Sequence, residues 1–393
     1  MPRILKFMAR MGLCSFFLLA LAGGGTAAFG LDADQGSSWF SDHVRWSFRN
    51  LNFAQIRELN ADGLDSRNLL NTSKYTLQAE LRPDLAIIYD RMELQVKPRA
   101  VYTWEKWEDG RNEGEDDTNS DYFIQEWLAR VQPLEGLFLS YGREDLQWGP
   151  AYLLSASNPF FSANGSDRPK TEVPGADYGR LIWSPNMAWS LSLMVNTDDG
   201  EKELFADFHK TYAMKVDYTL TDGQISLNLA KQESADPRLG AYVSWNFGES
   251  FLAYGEGSVA EKDFEVLVGG SYTFLEGAIL ALEYFYNDSG TRDGDLVEAF
   301  FTLQSEDNRE AFLRKNYLLL QYFNQDLLGK WNALLRLTYG VDDSSMAILA
   351  AGEYNLGSHL QLFANGTYFT GDDDSEFGGL LEYRALCGFE LIF

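Results

Sequence analysis

Alternation of apolar and polar residues with a period of two runs from about residue 43 to the last residue, and no stretch shows convincing helical periodicity. Successive side chains of a β-strand point to opposite faces, so this pattern predicts strands with one apolar and one polar face. The clearest example is the final segment, EYRALCGFELIF, whose alternate positions are apolar: Tyr383, Ala385, Cys387, Phe389, Leu391 and Phe393. The chain is predicted to be an all-β protein.

Tight turns and longer, mostly acidic connections alternate between the predicted strands. Turns rich in Gly, Pro, Asn and Asp stand at 133–136, 184–187, 220–223, 247–250, 274–277, 325–330 and 355–358. The longer connections cover 108–121, 147–177, 197–208, 288–314 and 371–379. Short turns at one end and long loops at the other are typical of a transmembrane β-barrel. Counting strands gives about 18, or about 16 if the two least certain segments, near 43–57 and 73–88, are merged or misread.

Composition separates a barrel in a membrane from a soluble sheet. Charged residues make up 23% of the chain, which suits a soluble protein, yet aromatic residues reach 15%, with 20 Tyr and 10 Trp. A transmembrane barrel reconciles these values, because each strand shows apolar side chains to lipid only at alternate positions. Aromatic residues such as Trp104, Trp107, Trp189 and Trp245 gather near predicted strand ends, where interfacial girdles are expected.

A soluble β-propeller is the alternative fold, because it too would give many short strands. A propeller requires a repeat of about 40 to 50 residues, and none is visible in the sequence. The predicted fold is therefore a transmembrane antiparallel β-barrel, with short periplasmic turns and long acidic extracellular loops.

The first 28 residues have the order of a secretory signal peptide. Three cations precede the apolar run LCSFFLLALA, and a small-residue stretch leads to a predicted cleavage after Ala28. We therefore expect a signal peptide over 1–28, an N-terminal periplasmic segment over 29–42 and the barrel over 43–393. Cleavage leaves Cys387 as the one cysteine, so no internal disulfide is expected.

The formal net charge of −26 restricts the partners of the chain. A strongly acidic surface repels polyanions, so nucleic-acid binding is excluded. The expected partners are outer-membrane lipid and lipopolysaccharide, the barrel-assembly machinery, and a small hydrophilic solute or a polysaccharide. The sequence leaves the oligomeric state and the identity of the solute open.

The polar face of the predicted strands carries opposite charges in two parts of the chain. Basic pore-lining candidates lie in the N-terminal part: Arg45, Arg49, Lys74, Arg82, Arg91, Lys97, Arg99 and Arg130. Acidic pore-lining candidates lie in the C-terminal part: Glu256, Glu265, Glu283, Glu353, Glu382 and Glu390. Two opposed strips would set a transverse field across a pore, which orients zwitterionic or hydrated solutes. The alternative is that these charges are solvated or paired across neighbouring strands.

Catalytic and metal-binding chemistry finds little support. The three histidines, His43, His209 and His359, fall on different predicted strands, so no triad can be drawn from them. Glu144 and Asp145 are adjacent and would point to opposite faces of a strand, which disfavours a catalytic carboxylate pair. For the acidic loop segment GDDDSE, a solvated loop is favoured over a calcium site, because it lacks a glycine-spaced ligand pattern. We predict no catalytic residue, no metal site and no cofactor.

The segment SYGREDLQWGPAYLLSASNPFF, residues 140–161, joins a strand ending in Gly-Arg, a Trp-Gly pair and a loop carrying Ser-x-Asn-Pro. This combination resembles a group of Gram-negative outer-membrane barrels that includes porin-like carbohydrate channels, the alginate-export type and the capsule-assembly type. The matching residues are Gly142, Arg143, Trp148, Gly149, Pro150, Ser157, Asn158 and Pro159. The resemblance covers about residues 120–196, where 174–185 looks like the family's return strand.

The resemblance implies a barrel of roughly 18 strands whose third long loop folds inward and narrows the lumen. Loop 147–177 is therefore the expected constriction, with a motif of Arg143, Glu144, Trp148, Gly149, Asn158 and Pro159. A final strand that ends on a free Phe also resembles the terminal signature of outer-membrane barrels. The expected assembly signal is accordingly Phe389, Leu391 and Phe393.

The expected function is passive diffusion of small hydrophilic solutes through a porin-like channel in the bacterial outer membrane. The alternative is a non-conducting surface barrel that binds, exports or anchors exopolysaccharide through aromatic residues of its long loops. The chain departs from the alginate-export type, because only one side of its polar face is basic, and this argues against an acidic polysaccharide as the substrate.

Overall fold

A computed structural model describes residues 39–152, 154–160, 170–173, 175–201, 208–292, 296 and 312–393. The chain divides into two compact units, Met1–Trp46 and Ser47–Phe393. The described part of the first unit is a helical turn over residues 39–43 and the first residues of a strand. The predicted signal peptide and most of the predicted periplasmic segment lie outside the described residues, so both stay predictions.

Eighteen β-strands account for most of the described residues. In chain order they are β1 (Val44–Leu59), β2 (Tyr75–Tyr89), β3 (Met92–Lys106), β4 (Asp116–Leu134), β5 (Leu137–Glu144), β6 (Ala176–Trp183), β7 (Trp189–Asp198), β8 (Thr211–Thr219), β9 (Gly223–Gln232), β10 (Arg238–Phe247), β11 (Phe251–Val259), β12 (Phe264–Thr273), β13 (Ile279–Asn287), β14 (Asn316–Leu327), β15 (Trp331–Gly340), β16 (Ser345–Asn355), β17 (Leu360–Thr370) and β18 (Leu381–Ile392). Within the described residues, no helix has the length and hydropathy needed to span a bilayer.

Each strand pairs with its neighbours in sequence, and β18 pairs antiparallel with β1 to close the sheet. At this seam Leu51 lies opposite Glu390, and Arg57 lies opposite Arg384. Closure removes the open sheet edges that lipid could not satisfy with hydrogen bonds. The prediction of an antiparallel barrel with about 18 strands is confirmed, and the alternative count of 16 is wrong.

The connections differ between the two ends of the barrel. Tight turns at 90–91 and 135–136 join strands at one end, which we call the turn end. Connections such as 60–74 and 145–175 join strands at the opposite end, which we call the loop end. Since β1 starts at the turn end and the number of strands is even, β18 also finishes there.

The register divides the side chains between two faces, because directly paired residues of an antiparallel sheet share a face. In β12, Val266 and Val268 are 41% and 51% exposed, whereas Glu265 and Leu267 are buried. The exposed face is mostly apolar along the strands, as an outer surface in contact with lipid requires. The buried face is mixed and contains most of the polar side chains of the wall, so it is the inner face.

Aromatic pairs stand on strand ends at the turn end. The ring centroids of Trp189 and Tyr218 are 4.5 Å apart, and those of Trp331 and Tyr354 are 4.7 Å apart. Such rings, with an apolar body and a polar edge, suit the boundary between lipid and water. Trp107 does not belong to such a girdle, because it is buried at the loop end and its Nε1 donates to the Asn71 carbonyl at 2.9 Å.

Candidate functional site

The connection 145–175 joins β5 to β6 and corresponds to the predicted loop 147–177. Arg143 and Glu144, the last residues of β5, point to opposite faces. Arg143 Nε donates to Asp177 Oδ1 at 2.8 Å, and Arg143 Nη1 donates to Glu201 Oε1 at 2.5 Å. On the inner face Glu144 Oε2 accepts from Arg180 Nη1 at 2.7 Å. Both residues are therefore held at the point where the chain leaves the wall.

Gly142 and Gly149 have different roles at this exit. Gly142 lies within β5, and a Cβ there would stand 2.0 Å from the Trp127 carbonyl oxygen, so close strand packing requires glycine. Gly149 has a φ of 90°, a conformation that other residues rarely adopt, and a Cβ there would stand 2.8 Å from Glu256 Oε2. Only Gly149 therefore supports the turn of the connection onto the wall.

The first half of the connection is fixed to the inner face by two carboxylates. Glu256 of β11 accepts from the hydroxyls of Ser155 and Ser157, at 2.8 and 2.9 Å. Glu283 of β13 accepts from the Tyr152 backbone N–H and from the Tyr254 hydroxyl, both at 2.6 Å. Glu256 and Glu283, which were predicted to line the pore, therefore anchor this segment to the wall.

Apolar packing accompanies these hydrogen bonds. One buried cluster joins the segment to β11–β14 and contains Ala151, Leu154, Ala156, Tyr254, Leu267, Phe285, Tyr317 and Leu319. A second one surrounds Phe160, whose ring centroid lies 5.0 Å from that of Tyr178 and 5.8 Å from that of Trp148. Full burial of a large apolar side chain contributes about 1.5–3 kcal/mol. The described residues between 146 and 160 thus pack as part of a core on the inner wall.

Besides Gly149, three residues of the predicted motif lie within this packed segment. The Asn158 side chain is fully buried, donates to the Leu146 carbonyl at 2.8 Å and accepts from the Phe160 N–H at 3.0 Å. Pro159 follows it and is half-buried. The ring of Trp148 lies 5.4 Å from Lys215 Nζ, which is a cation–π distance. These residues shape and anchor the segment in place of strand pairing.

The end of the connection contacts a different part of the inner wall, through Glu172. Glu172 makes a two-point ion pair with Arg99 of β3, at 2.6 Å to Nε and 2.9 Å to Nη2. Arg49 of β1 donates to the same carboxylate at 3.0 Å, and Arg82 of β2 lies 3.9 Å away. Asp84 also accepts from Arg99, at 2.9 Å. We call Arg49, Arg82 and Arg99 the arginine cluster.

Burial raises the pKa of Glu172, but the hydrogen bond from Arg99 and the nearby positive charges outweigh it. The pKa therefore lies below the ordinary value of a glutamate. Glu172 is the anionic centre of a compact charge network, in which the side chain of Arg99 is fully buried.

Lys170, two residues before Glu172, contacts a third part of the wall. Its Nζ lies 3.0 Å from Glu353 of β16 and 3.0 Å from Glu390 of β18, and it also donates to Gln361. Its carbonyl accepts from Arg82 at 2.9 Å. One short segment therefore places a cation against acidic side chains and an anion against arginines.

The contacts locate the described parts of the connection. In the closed order of eighteen strands, β11–β13 lie across the barrel from β1–β3. Tyr152, Ser155 and Ser157 contact inner-face groups of β11 and β13. Glu172 contacts inner-face groups of β1–β3. One connection can reach the inner faces of two opposite walls only if it runs through the interior of the barrel. The described parts of 145–175 therefore lie inside the barrel.

The other predicted charged residues divide between paired and exposed positions. Lys97 pairs with Glu126 at 2.6 Å, and Arg130 pairs with Glu93 at 3.0 Å. Lys74 lies near the loop end, 3.0 Å from Glu58 and 3.1 Å from Glu108. Glu265 is buried on the inner face, whereas Arg45, Arg91 and Glu382 are exposed near strand ends. Pairing across neighbouring strands, the alternative considered above, thus accounts for several of these charges.

Arg91 belongs to the rim of the barrel. It lies in the turn at 90–91, and its Nη1 donates to the Pro133 carbonyl at 3.3 Å. Period-two alternation assigns it to the inner face, but a turn residue lies beyond the last paired position of the wall.

The residues of the expected assembly signal end β18 at the turn end. Phe389 and Phe393 are both exposed, and Leu391 is half-buried. Phe393 exchanges backbone hydrogen bonds with Phe48, at 2.9 and 3.0 Å, which fixes the last residue to β1. Recognition of these residues by assembly machinery stays a prediction.

Among the described residues, no group of three or more His, Cys, Asp or Glu side chains is arranged to hold a metal ion. Two histidines bind backbone carbonyls near strand ends. His43 Nδ1 lies 2.8 Å from the Trp39 oxygen, and His359 Nδ1 lies 2.9 Å from the Ile392 oxygen.

Sequence patterns missed Lys170, Glu172 and Asp84. Strand alternation does not assign the direction of a side chain in a loop, so the sequence pattern could not identify Lys170 and Glu172. For the arginine cluster of the wall the sequence does contain an indication. Pro83 and Pro98 stand beside Arg82 and Arg99, and proline within a strand marks interrupted pairing. Arg99 Nη1 donates to both proline carbonyls, at 3.2 and 2.9 Å.

No protein-family model and no curated protein matches this sequence. Solved structures do match the fold. OccAB2 of Acinetobacter baumannii aligns with a TM-score of 0.57 and 10% identity, over 90% of this chain and 98% of its own. OprD of Pseudomonas aeruginosa aligns with a TM-score of 0.56 and 12% identity, over 90% and 96%. OccK2 of the same organism gives 0.56 and 13%, over 90% and 98%.

These proteins are outer-membrane porins. The chain has their fold. At this level of identity the similarity concerns the closed barrel of eighteen strands and carries no residue of the inner wall from one protein to another. The expectation of a porin-like barrel is confirmed at the level of fold.

Proposed function

We propose that the chain is an outer-membrane channel for passive diffusion of small hydrophilic solutes, with its lumen narrowed by the connection 145–175. The observation that carries this proposal is the set of contacts from that connection to opposite inner walls. The apolar outer face, the aromatic pairs at the turn end and the porin fold support the location in a membrane.

The width of the barrel supports a channel. Eighteen strands about 4.8 Å apart and tilted by roughly 40° give a backbone-to-backbone diameter of about 35 Å. Side chains of the wall cannot fill such an interior. The connection 145–175 is therefore the element that sets the narrowest cross-section, and the polar inner face around it suits hydrated solutes.

A second function is favoured by one observation. The described residues between 146 and 160 pack in two apolar clusters against the inner wall. Such packing fills space inside the barrel, as in the core of a soluble protein. A barrel whose lumen is closed in this way would act through its surface. The second candidate is therefore a non-conducting surface barrel that binds, exports or anchors exopolysaccharide.

Flux through proteoliposomes tests the first proposal. Vesicles containing the purified protein should take up small neutral sugars and amino acids and should exclude polymers. A variant in which residues 146–174 are replaced by a short Gly-Ser turn should pass larger solutes. Wild-type vesicles that stay impermeable to every small solute would overturn the channel proposal.

Glycan retention separates the two candidates. Immobilised exopolysaccharide should retain neither wild-type protein nor the shortened variant if the chain is a channel. Retention of the wild-type protein, with loss of retention in the shortened variant, would support the surface barrel.

A further inference from the structure

We infer that Lys170 and Glu172 are the residues that set the ion selectivity of the channel, by acting as built-in counter-ions to two oppositely charged parts of the inner wall. This inference rests on the proposed function. It assigns to the inward connection an electrostatic role that is separate from its steric one.

The first observation is the position of Glu172. Its carboxylate lies within 4 Å of all three members of the arginine cluster, and the ion pair with Arg99 is two-pointed. Wall carboxylates contribute as well, since Glu80 pairs with Arg82 at 2.8 Å and Asp84 pairs with Arg99 at 2.9 Å. The three guanidinium groups thus face the carboxylates of Glu80, Asp84 and Glu172, and Arg49 also approaches Glu390. Of these carboxylates, Glu172 comes from the connection.

The second observation is the position of Lys170. Glu353 and Glu390 lie on β16 and β18, and Lys170 is the cation placed between them, at 3.0 Å from each. Arg49 also lies near Glu390, at 3.6 Å. Removing the charge of Lys170 leaves this part of the wall with an excess of negative charge.

The third observation is the exposure of these groups. The side chains of Arg82 and Arg99 are nearly or fully buried, whereas those of Glu172, Glu353 and Arg49 keep about a quarter of their surface accessible. The accessible charged groups sit at the contact between connection and wall. An ion passing the connection would meet a nearly balanced pair of charged patches.

Charge balance predicts opposite effects for the two residues. Glu172→Gln leaves the arginine cluster in excess and should shift permeability toward anions. Lys170→Gln leaves Glu353 and Glu390 in excess and should shift it toward cations. A unit charge about 7 Å from an ion in water contributes about one thermal energy, which favours ions of one sign and disfavours ions of the other. Each shift in the permeability ratio should therefore be about sevenfold.

Reversal potentials under a salt gradient measure this ratio in a planar bilayer. The double variant Lys170→Gln with Glu172→Gln should return close to the wild-type value, because both patches lose their counter-ion together. The conservative variants Glu172→Asp and Lys170→Arg should also stay close to wild type. Each variant is first checked for a folded barrel by circular dichroism.

Matched controls remove the same charges elsewhere. Glu113 and Lys262 are exposed in other connections at the loop end. Glu113→Gln and Lys262→Gln should leave the reversal potential unchanged. If both single variants at 170 and 172 conduct with the wild-type reversal potential, the counter-ion inference is overturned and the channel proposal stands. A wild-type protein that does not conduct overturns the channel proposal itself, and with it this inference.

Discussion

Glu172 and Arg99 join the inward connection to the barrel wall through a two-point ion pair, with 2.6 Å between Oε2 and Nε and 2.9 Å between Oε1 and Nη2. The pair crosses from a loop to the middle of β3. It is one end of an attachment whose other end is the pair of carboxylates Glu256 and Glu283 on the opposite wall.

Replacing Arg99 with Gln should release the end of the connection near residue 172. The variant leaves Glu172 and Asp84 without the guanidinium that joins them. Removing one partner of a buried ion pair lowers stability by about 3–5 kcal/mol. Because Glu172 is partly exposed, the expected loss of stability is about 3 kcal/mol or less. The measurement is the rate of proteolytic cleavage within 145–175, which should rise. Arg91→Gln, in an exposed turn, is the control, and equal cleavage rates in the two variants would contradict the attachment.

Gly149 should tolerate a methyl group less well than Gly114 does. Both glycines have positive φ values, 90° and 79°, so alanine meets a similar backbone cost of about 1 kcal/mol at either position. Only at Gly149 would the new Cβ approach the Glu256 carboxylate, at 2.8 and 2.9 Å, whereas nothing lies within 4 Å of it at Gly114. Hydrogen exchange of the amides in 152–157 should be faster in Gly149→Ala than in Gly114→Ala. Identical exchange in the two variants would show that the contact with Glu256 does not hold the segment.

Glu376 should make the packing of the loop 371–380 depend on pH. It is half-buried, its Oε1 accepts from the Leu313 N–H at 2.9 Å, and Tyr317 donates its hydroxyl to Oε2. Its own N–H donates to Asp343 Oδ2 at 2.9 Å, and Arg314 pairs with Asp343 at 2.8 Å. Burial raises the pKa of Glu376 to about 7, against the hydrogen bonds from Leu313 and Tyr317, which lower it.

The sign of this effect follows from proton linkage. The unfolded carboxyl has an ordinary pKa near 4.3, so between this value and about 7 the packed loop binds more protons than the released loop. The stabilisation is fully present below the ordinary pKa and is lost as the pH rises through about 7. Once the intrinsic pH dependence of amide exchange is divided out, the amides in 371–380 should therefore be better protected at low pH than at high pH. Glu376→Gln should abolish this dependence and Glu113→Gln should keep it; a dependence that persists in Glu376→Gln would rule out this carboxyl as its source.

The strands could be predicted from the sequence because a lipid-facing wall imposes a local rule on each of them. Alternation in the segment that ends at Phe393 predicts β18, and turn residues such as those at 220–223 mark the hairpins. The return strand after Gly175 begins at Ala176, inside the range predicted for it. Each of these signals is contained in a few consecutive residues.

The arrangement of charges depended on contacts that alternation does not describe. Alternation placed Arg82, Arg99 and Glu390 on the inner face, but their partners Glu172 and Lys170 lie in a loop, where side-chain direction has no period. The segment 371–376 was expected to be a solvated acidic loop, yet Glu376 is half-buried there and accepts hydrogen bonds from Leu313 and Tyr317. Next to it, Phe377 packs with Tyr317 and Phe312. Both differences arise from tertiary packing between segments far apart in sequence.

Single-channel recording in a planar bilayer shows whether the barrel is an open channel, when wild-type protein is compared with the variant in which residues 146–174 are replaced by a short Gly-Ser turn. We expect stepwise conductance in the wild-type protein and larger steps in the variant, because the connection occupies the lumen. A wild-type barrel that is folded and inserted but gives no steps, while the variant conducts, would contradict an open channel and indicate a sealed one. Equal steps in both proteins would show that the connection does not narrow the lumen.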